Sequence, residues 1–545
     1  MRCGGVSMKG IQVVIKGEGT FSLKKGESVL SVLNKDKQAA VSGCGGNGSC
    51  GKCAVRFMMG APLPTSTDRR FFSPSALREG YRLACLAKPQ QNCIVDFCFS
   101  ENDLDIVADS SLRKEDAAAK NTAQEAAQEA PALTSSTGAL GGQMDSLVMV
   151  RVNPSDFGDT MVIVDLGTTT IVMQLVEIET GRIIDTYKTL NPQRRFGADV
   201  VSRMTHAIKG DEVLLAECVQ YTLDGEINKW LYQGFTPELI VVSGNTCMTY
   251  LYNSINVEEL SKAPFTATHL GPIETDIAHI RTVFLPGLSA FVGGDITAGL
   301  MMVKKREEEL LEEAEEKAAA KKSAKTASAK GRKKAPALSR QRTVLFVDLG
   351  TNGEIALIRG EQIWATATSA GPAFEGGANA NTPGTDMIRI IATLLEREMI
   401  DETGLFGEEY FHNGVTVDGV LIRQEDVRSI QVAKAAIYAG IQVLLSQAGI
   451  REDEIDQVYL AGGFGYYLDV ESACRIGLLP SRWKDCTVAV GNTSLAGSLE
   501  YGLAYRKNPF SDPAAAIRSQ VNSVNLAQVY EFEKLYVEAM NLSIV

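Results

Sequence analysis

"MVIVDLGTTTIVMQLVEIETGRIID" (residues 161–185) and "VLFVDLGTNGEIALIRGEQIWA" (residues 344–365) are one construction written twice. Each opens with an apolar run, reaches Asp-Leu-Gly-Thr, and continues into a second apolar stretch that closes on a Gly-containing turn. Short runs rich in Val and Ile and punctuated by glycine read as strands. The two aspartates, Asp165 and Asp348, lie 183 positions apart, so each half of the chain beyond Met161 carries one copy. With β/α alternation filling the remainder, a duplicated α/β domain is the expected architecture.

A strand that ends in Asp-Leu-Gly-Thr and turns directly into another strand is suited to gripping phosphate. Glycine admits close backbone approach, amides and Thr hydroxyls bind phosphate oxygens, and the Asp holds Mg²⁺ through water. The candidates are Asp165, Gly167, Thr168 and Thr169 in the first copy, and Asp348, Gly350, Thr351, Asn352 and Gly353 in the second. A third element, "DQVYLAGGFG" (456–465), ends a strand at Gly462 and Gly463 and leaves room for an adenosine. ATP with Mg²⁺ is therefore the expected ligand.

The amino-terminal segment is a different kind of object. Seven of the 11 cysteines fall before residue 100, and "CGGNGSCGKC" (44–53) packs three of them among four glycines. Cys44, Cys50 and Cys53 have the spacing C-x5-C-x2-C, and Cys85 follows in "YRLACLA". Structural zinc takes two cysteine pairs, or one pair with two His, and the chain has only 4 His. Three plus one is close to the plant-type two-iron pattern, with one extra residue in the first gap. These four thiols are the expected ligands of a [2Fe-2S] cluster, with glycine letting the loop wrap tightly around it. Cys3, Cys93 and Cys98 are left over and read as buried structural thiols. "IQVVIKGEGTFSLKKG" reads as two strands, "ESVLSVLNKDK" as a short helix, and "AVRFMMG" and "NCIVDFCFS" as further strands. A small mixed sheet gripping one helix follows.

The totals narrow the rest. A formal charge of −12 argues against general nucleic-acid binding, which needs a basic surface. No uninterrupted apolar run reaches membrane-spanning length, and "MRCGGVSMKG" lacks the apolar stretch of a signal peptide. No membrane and a cytoplasmic location are expected, a compartment in which clustered thiols hold metal more often than disulfides. Met1 and Met8 are alternative starts. The expected division is a ferredoxin domain over 8–100, a polar Ala/Gln/Glu/Ser-rich linker over 101–160, and the duplicated domain over 161–545. A low-complexity insertion at 304–341 is expected to be an exposed helix held by Glu–Lys pairs, then a solvated segment.

The second part of the chain resembles the superfamily of actin, hexokinase, acetate kinase and the heat-shock chaperones. "DLGTTT", "DLGTNGE" and "AGGFG" match its two phosphate motifs and its adenosine motif, and "VGGDITAGLMM" (292–302) and "VGNTSLAGSLE" (490–500) match its crossing helices. The resemblance implies an actin-like (RNase H-like) ATPase behind a β-grasp ferredoxin-like α+β domain. It sets Asp295 where such folds place an acid that orients attacking water or Mg²⁺, the alternative being a helix N-cap. Glu375, on the Gly-rich "SAGPAFEGGA" (369–378), is a further candidate for nucleotide or metal contact.

The whole order, adding "VVSGNTCMTYLY", "GLSAFVGGDITAG" and "LAGGFGYYLD", resembles one family: the ATP-dependent reductive activators of corrinoid proteins. That resemblance implies electron delivery from a two-iron cluster, reduction of a Co(II) corrinoid protein of a methyltransferase system to Co(I), and a low-potential electron donor. A homodimer is among the possible assemblies. The chain departs from the family in its short polar middle region, its long insertion, and the absence of any cysteine run after Cys486. Two other functions stay open. One is activation of another low-potential enzyme such as a 2-hydroxyacyl-CoA dehydratase, whose activators hold one cluster between two subunits. The other is a redox-sensing ATPase that delivers no electrons.

Overall fold

The computed structural model describes residues 11–15, 19–31, 53–72, 77–97, 153–325, 342–350, 352–370 and 384–542. Cys3, Cys44, Cys50, Cys98, Thr351, Glu375 and most of the expected linker lie outside these residues.

The amino-terminal domain is a five-stranded mixed sheet in the order β2-β1-β5-β3-β4. Its strands are β1 (Ile11–Ile15), β2 (Gly19–Leu23), β3 (Ala54–Met59), β4 (Tyr81–Leu83) and β5 (Cys93–Phe97). β1 and β2 form the expected antiparallel pair, and β1 runs parallel to β5 with Val13 opposite Cys93. Val13, Ile15, Leu23, Val29, Val55, Leu83 and Val95 close the core. Each fully buried aliphatic side chain of this kind contributes about 1.5–3 kcal/mol. Strand β4, directly before Cys85, and the short helix Ser66–Phe71 are additions to the sequence reading.

The remainder is built on two six-stranded sheets with matching topology. The first has the order β10-β11-β9-β6-β7-β8. Its strands are β6 (Thr160–Leu166), β7 (Thr170–Glu177), β8 (Ile183–Leu190), β9 (Pro237–Gly244), β10 (Ile273–Ile277) and β11 (Ile280–Phe284). The second begins with β12 (Thr343–Leu349), β13 (Gly353–Arg359) and β14 (Gln362–Thr368). A small hairpin, β15 (Val415–Val417) with β16 (Val420–Ile422), stands apart from it. The sheet is completed by β17 (Gln457–Ala461), β18 (Thr487–Gly491) and β19 (Val521–Ser523), in the order β18-β17-β12-β13-β14-β19. In both sheets the central strand pairs antiparallel with the next strand and parallel with a later one: β6 with β7 and β9, β12 with β13 and β17. Both central strands are buried along their length, the aspartate alone being only partly buried, as apolar runs covered on both faces require.

Four helices do most of the covering. α1 (Glu212–Gln233) puts Leu215, Val219, Leu223, Ile227 and Trp230 on the first sheet, while α3 (Gln424–Ala448) puts Ile430, Ile437, Ile441 and Leu444 on the second. α2 (Gly294–Lys325) and α4 (Thr493–Lys507) are the expected crossing pair. A methyl group on Gly497 would collide with the Ala298 carbonyl, and one on Gly299 would lie 2.6 Å from the Phe346 ring of β12 and 3.1 Å from Thr493 Oγ1, so the small residues let these helices meet each other and the sheet. Among the described residues one helix, α3, is long and apolar enough to cross a membrane by composition, and most of its apolar stretch is buried in this core.

Two boundaries differ from expectation. β6 starts at Thr160, preceded by a helical turn at Pro154–Asp156, so ordered structure begins ahead of 161. The expected insertion at 304–341 is not solvated from its first residue. α2 runs unbroken to Lys325, and its turn at 304–307 is tied into the fold. Lys305 pairs with Glu500 at 2.5 Å, while Glu307 pairs with Arg342 at 2.8 Å and accepts from the Tyr459 hydroxyl at 2.7 Å. Apolar spacing could not show this, because the anchoring groups are charged.

Candidate functional site

Two of the four proposed cluster ligands come together. Cys53 precedes β3 and Cys85 follows β4, and backbone bonds set both: Ala84 N donates to the Cys53 carbonyl at 2.7 Å, and Leu83 N donates to Asp68 Oδ1 at 2.8 Å. Asp68 is itself buried and locked by a capping box with Thr65. The outcome is a pair of buried thiols with sulfurs 3.2 Å apart. That is well beyond the ~2.05 Å of a disulfide and close enough for two thiolates to serve one cluster. Cys93 faces the core of β5, where burial pushes its thiol up to about 11, consistent with a structural role.

The nucleotide candidates gather at the carboxyl ends of the two central strands, where ligand sites of open α/β sheets form. In the first copy Asp165 accepts from Asn492 Nδ2 at 2.8 Å and Ser494 Oγ at 3.0 Å. Burial raises its carboxyl, and these two donors oppose the rise. The following turn is braced from behind. Asn191 Nδ2 donates to the Gly167 carbonyl at 2.7 Å, Asn245 Nδ2 donates to Thr168 Oγ1 at 2.8 Å, and Arg203 donates to the Thr168 carbonyl. Thr168 is buried, so its hydroxyl is engaged inside the protein. Thr169 holds Asn191 N through its carbonyl.

In the second copy burial pushes Asp348 up to about 8, reinforced by Asp295 and then Asp165. Asp295 is lifted to about 7, again by burial first, with Asp165 adding to it. It sits in the first turn of α2, and its Oδ1 accepts from Ile296 N at 2.8 Å, so it combines a helix-start position with an outlook onto the same cleft. Gly462 has φ +82°, and a side chain there would collide with Asp348 Oδ1, so glycine is required by the carboxylate as well as by the backbone. Gly463 has open space around it. The strand β17 ends at Ala461, and these glycines open a short helix, Gly462–Tyr467. Gly353 begins β13, and a methyl group there would lie 2.9 Å from Ile437 and Thr368, so its glycine is explained by packing. The Gly350–Asn352 turn is closed by Gly350 N donating to the Asn352 carbonyl at 3.0 Å.

Sequence reasoning passed over Glu354, which stands directly across the ladder from Asp348. It is buried, and desolvation with the charges of Asp295 and Asp348 holds its carboxyl far above the ordinary range. Four carboxylates thus share one cleft. Among the described residues no group of three His, Cys, Asp or Glu side chains is arranged to hold an ion directly. A Mg²⁺ ion here would be met mainly through water and phosphate, the usual habit of that cation. Asn245 and Asn492 were also passed over. Each caps a helix and belongs to a Gly-Asn-Thr tripeptide, 244–246 and 491–493, so a second internal repeat marked them.

Comparison with known proteins finds three matching segments, and it places the middle region of the matched proteins at 161–307, not in the short polar stretch over 101–160. Residues 13–90 match the 2Fe-2S iron-sulfur cluster binding domain, residues 161–307 the RACo middle region, and residues 342–382 and 380–544 the C-terminal domain of RACo, the ASKHA domain. The corrinoid activation enzyme RamQ of Eubacterium limosum is 28% identical over 417 residues, 62% of this chain and 63% of that protein. The chain therefore spans a little under two thirds of RamQ. The [Co(II) methylated amine-specific corrinoid protein] reductase of Methanosarcina barkeri is 25% identical over 402 residues, 61% of this chain and 68% of that protein. The solved structure of a reductive activator for corrinoid, iron-sulfur protein has the same fold, with a TM-score of 0.56 at 23% identity over 98% of both chains.

Proposed function

We propose that this chain, a member of the reductive activators of corrinoid proteins, uses ATP to drive one-electron reduction of an inactivated Co(II) corrinoid protein to Co(I). The observation that carries the reading is the fusion: a ferredoxin domain with converging Cys53 and Cys85 thiols precedes a duplicated nucleotide fold in one chain. Cys44, Cys50, Cys53 and Cys85 would hold a [2Fe-2S] cluster, which supplies single electrons at low potential when bound. The turns at 167–169 and 350–353 receive the phosphates, with Gly462 and Gly463 beside the adenosine. Asp165, Asp295, Asp348 and Glu354 face Mg²⁺ and the attacking water, and Glu375 on its Gly-rich loop completes the set.

ATP is needed because the electron goes uphill. Each 59 mV of unfavourable potential costs about tenfold in a one-electron equilibrium. Hydrolysis displaces that equilibrium when the nucleotide-bound state favours a more reducible form of the corrinoid partner. A low-potential donor then re-reduces the ferredoxin domain.

The test is anaerobic mixing of reduced protein, Mg-ATP and a Co(II) corrinoid protein, followed by visible absorbance. Loss of the Co(II) band with growth of the Co(I) band should require ATP. Equal reduction without ATP overturns the coupling, and ATP turnover with no acceptor reduced favours the sensor. Cys53→Ala should bleach the protein's own visible spectrum while Cys93→Ala leaves it intact. A colourless wild type carrying one zinc ion would sink the cluster assignment.

A further inference from the structure

The segment "NPQRRFGADVVSR" (191–203), which supplies Asn191 and Arg203 to the bracing of the first phosphate turn, forms the back wall of that turn. Its last residue, Arg203, has 0% of its surface exposed, which is rare for an arginine. Nε donates to the Gly197 carbonyl at 3.0 Å and Nη2 to the Thr168 carbonyl at 2.5 Å. Nη1 is directed at Met248 Sδ at 3.1 Å and Gln193 Oε1 at 3.4 Å. All four partners are neutral. Asp199, the acid nearest in sequence, gives one oxygen to Ser202 N and the other to Ser202 Oγ, both at 2.8 Å. Burial brings the guanidinium down to about 10, which leaves it charged at neutral pH.

A buried charge without a contacting counter-charge is costly, and one in a low-dielectric interior projects its field strongly. The side of the wall that it faces is the Gly167–Thr168 turn. Holding the Thr168 carbonyl rearward leaves the amides of this turn facing the cleft, the arrangement by which a backbone turn binds an anion. Asn191 does the same for the Gly167 carbonyl. The second copy closes its turn with its own backbone, and none of the described contacts there brings a cation behind it.

We propose that Arg203 is the positioning residue of the first phosphate turn, pinning its carbonyl and supplying the buried positive charge, in contact with no carboxylate, that selects a nucleoside triphosphate. This rests on the nucleotide reading above and adds a residue to it. Charge and shape are separable: lysine keeps the charge but cannot span the Thr168 and Gly197 carbonyls, and methionine keeps the volume alone.

The experiment is titration of the full-length protein with Mg-ATP and, separately, with adenosine, by calorimetry at low and high salt. Arg203→Met should weaken Mg-ATP binding by ~10- to 100-fold, the scale of a lost charged hydrogen bond, with adenosine affinity within about twofold of wild type. Arg203→Lys should fall between, keeping the salt dependence of wild type. Parallel loss of ATP and adenosine affinity would make Arg203 a purely structural residue and overturn the proposal, as would wild-type ATP affinity in Arg203→Met. Should Arg203→Met fail to fold, Arg203→Lys decides: wild-type ATP affinity there removes the positioning role. Failure of the wild type itself to bind Mg-ATP would instead refute the nucleotide reading.

Discussion

The two Asp-Leu-Gly-Thr units share strand order and burial pattern, and they differ by one residue in the register of the following strand and in what surrounds the aspartate. In the first unit Asp165 is satisfied by Asn492 and Ser494, its cross-strand neighbour is the apolar Val172, and a buried cation stands behind the turn. In the second, Asp348 has Glu354 as its cross-strand neighbour, Gly462 cleared away beside it, and Asp295 adding to its electrostatic load. One copy is a braced turn with a positive charge behind it; the other is an acidic face. Duplication thus supplied two turns of like construction, and the neighbours set how they differ.

The sharpest way to break this comparison is to neutralise each aspartate in turn. Asp348→Asn should lower ATP-dependent reduction of the corrinoid partner by at least ~100-fold, the scale of losing a positioned electrostatic contact. The cluster spectrum and chemical reduction of the ferredoxin domain should be unchanged. Asp165→Asn retains hydrogen-bonding capacity toward Asn492 and Ser494 and should cost about tenfold or less, with the larger share of its effect in thermal stability. Equal losses in both variants, measured by anaerobic stopped-flow absorbance, would erase the distinction.

That contrast was only half legible in the sequence. The aspartates, the glycines and the spacing of Cys53 and Cys85 were readable because each is a local pattern with a local physical cause. Glu354 sat inside the quoted motif but went unweighted, because the second turn is one residue shorter and the shift in register that brings an acid opposite Asp348 is a property of pairing. Arg203 was invisible for another reason. An arginine in a helix reads as surface, and only tertiary structure shows it seated against the Thr168 carbonyl. The 304–307 turn of α2 failed similarly, since charged residues at its start make the contacts that apolar ones make elsewhere.

Glu354 offers a finer test. Glu354→Gln removes one of four converging carboxyl groups while keeping size and the partnership with Asn352. The nucleotide-free protein should melt at a higher temperature, because a raised buried carboxyl opposes folding as pH rises from the unfolded range toward neutrality. Mg-ATP turnover should fall by ~10-fold, less than for Asp348→Asn. Unchanged turnover with a raised melting temperature would make Glu354 a tolerated burden, and the acidic face would shrink to Asp295 and Asp348.

The smallest effect separates two fully buried cations, Arg203 and Lys434, one beside each six-stranded sheet. Arg203 in the first half stays charged throughout the physiological range, whereas Lys434 on α3 does not have that margin. Its ammonium is wholly buried, donates to the Gly477 and Asn541 carbonyls, and is brought down by burial to about 7 from an ordinary 10.5. Between those values the unfolded chain binds a proton that the folded chain has released, so Lys434 adds stability as pH rises from 7 toward 10. The slope is at most about 1.4 kcal/mol per pH unit for one proton. The raised carboxyls of Asp295 and Asp348 act in the opposite direction, so the informative quantity is the difference between wild type and Lys434→Met at each pH. Lys434→Met should be closest to wild type, or more stable, at pH 6, and should lose ground steadily to pH 9 in thermal melts. Arg203, whose folded value is about 10, should produce no such divergence below pH 9. A pH-independent difference between wild type and Lys434→Met would mean that Lys434 remains charged in the fold, and the two buried cations would then be alike.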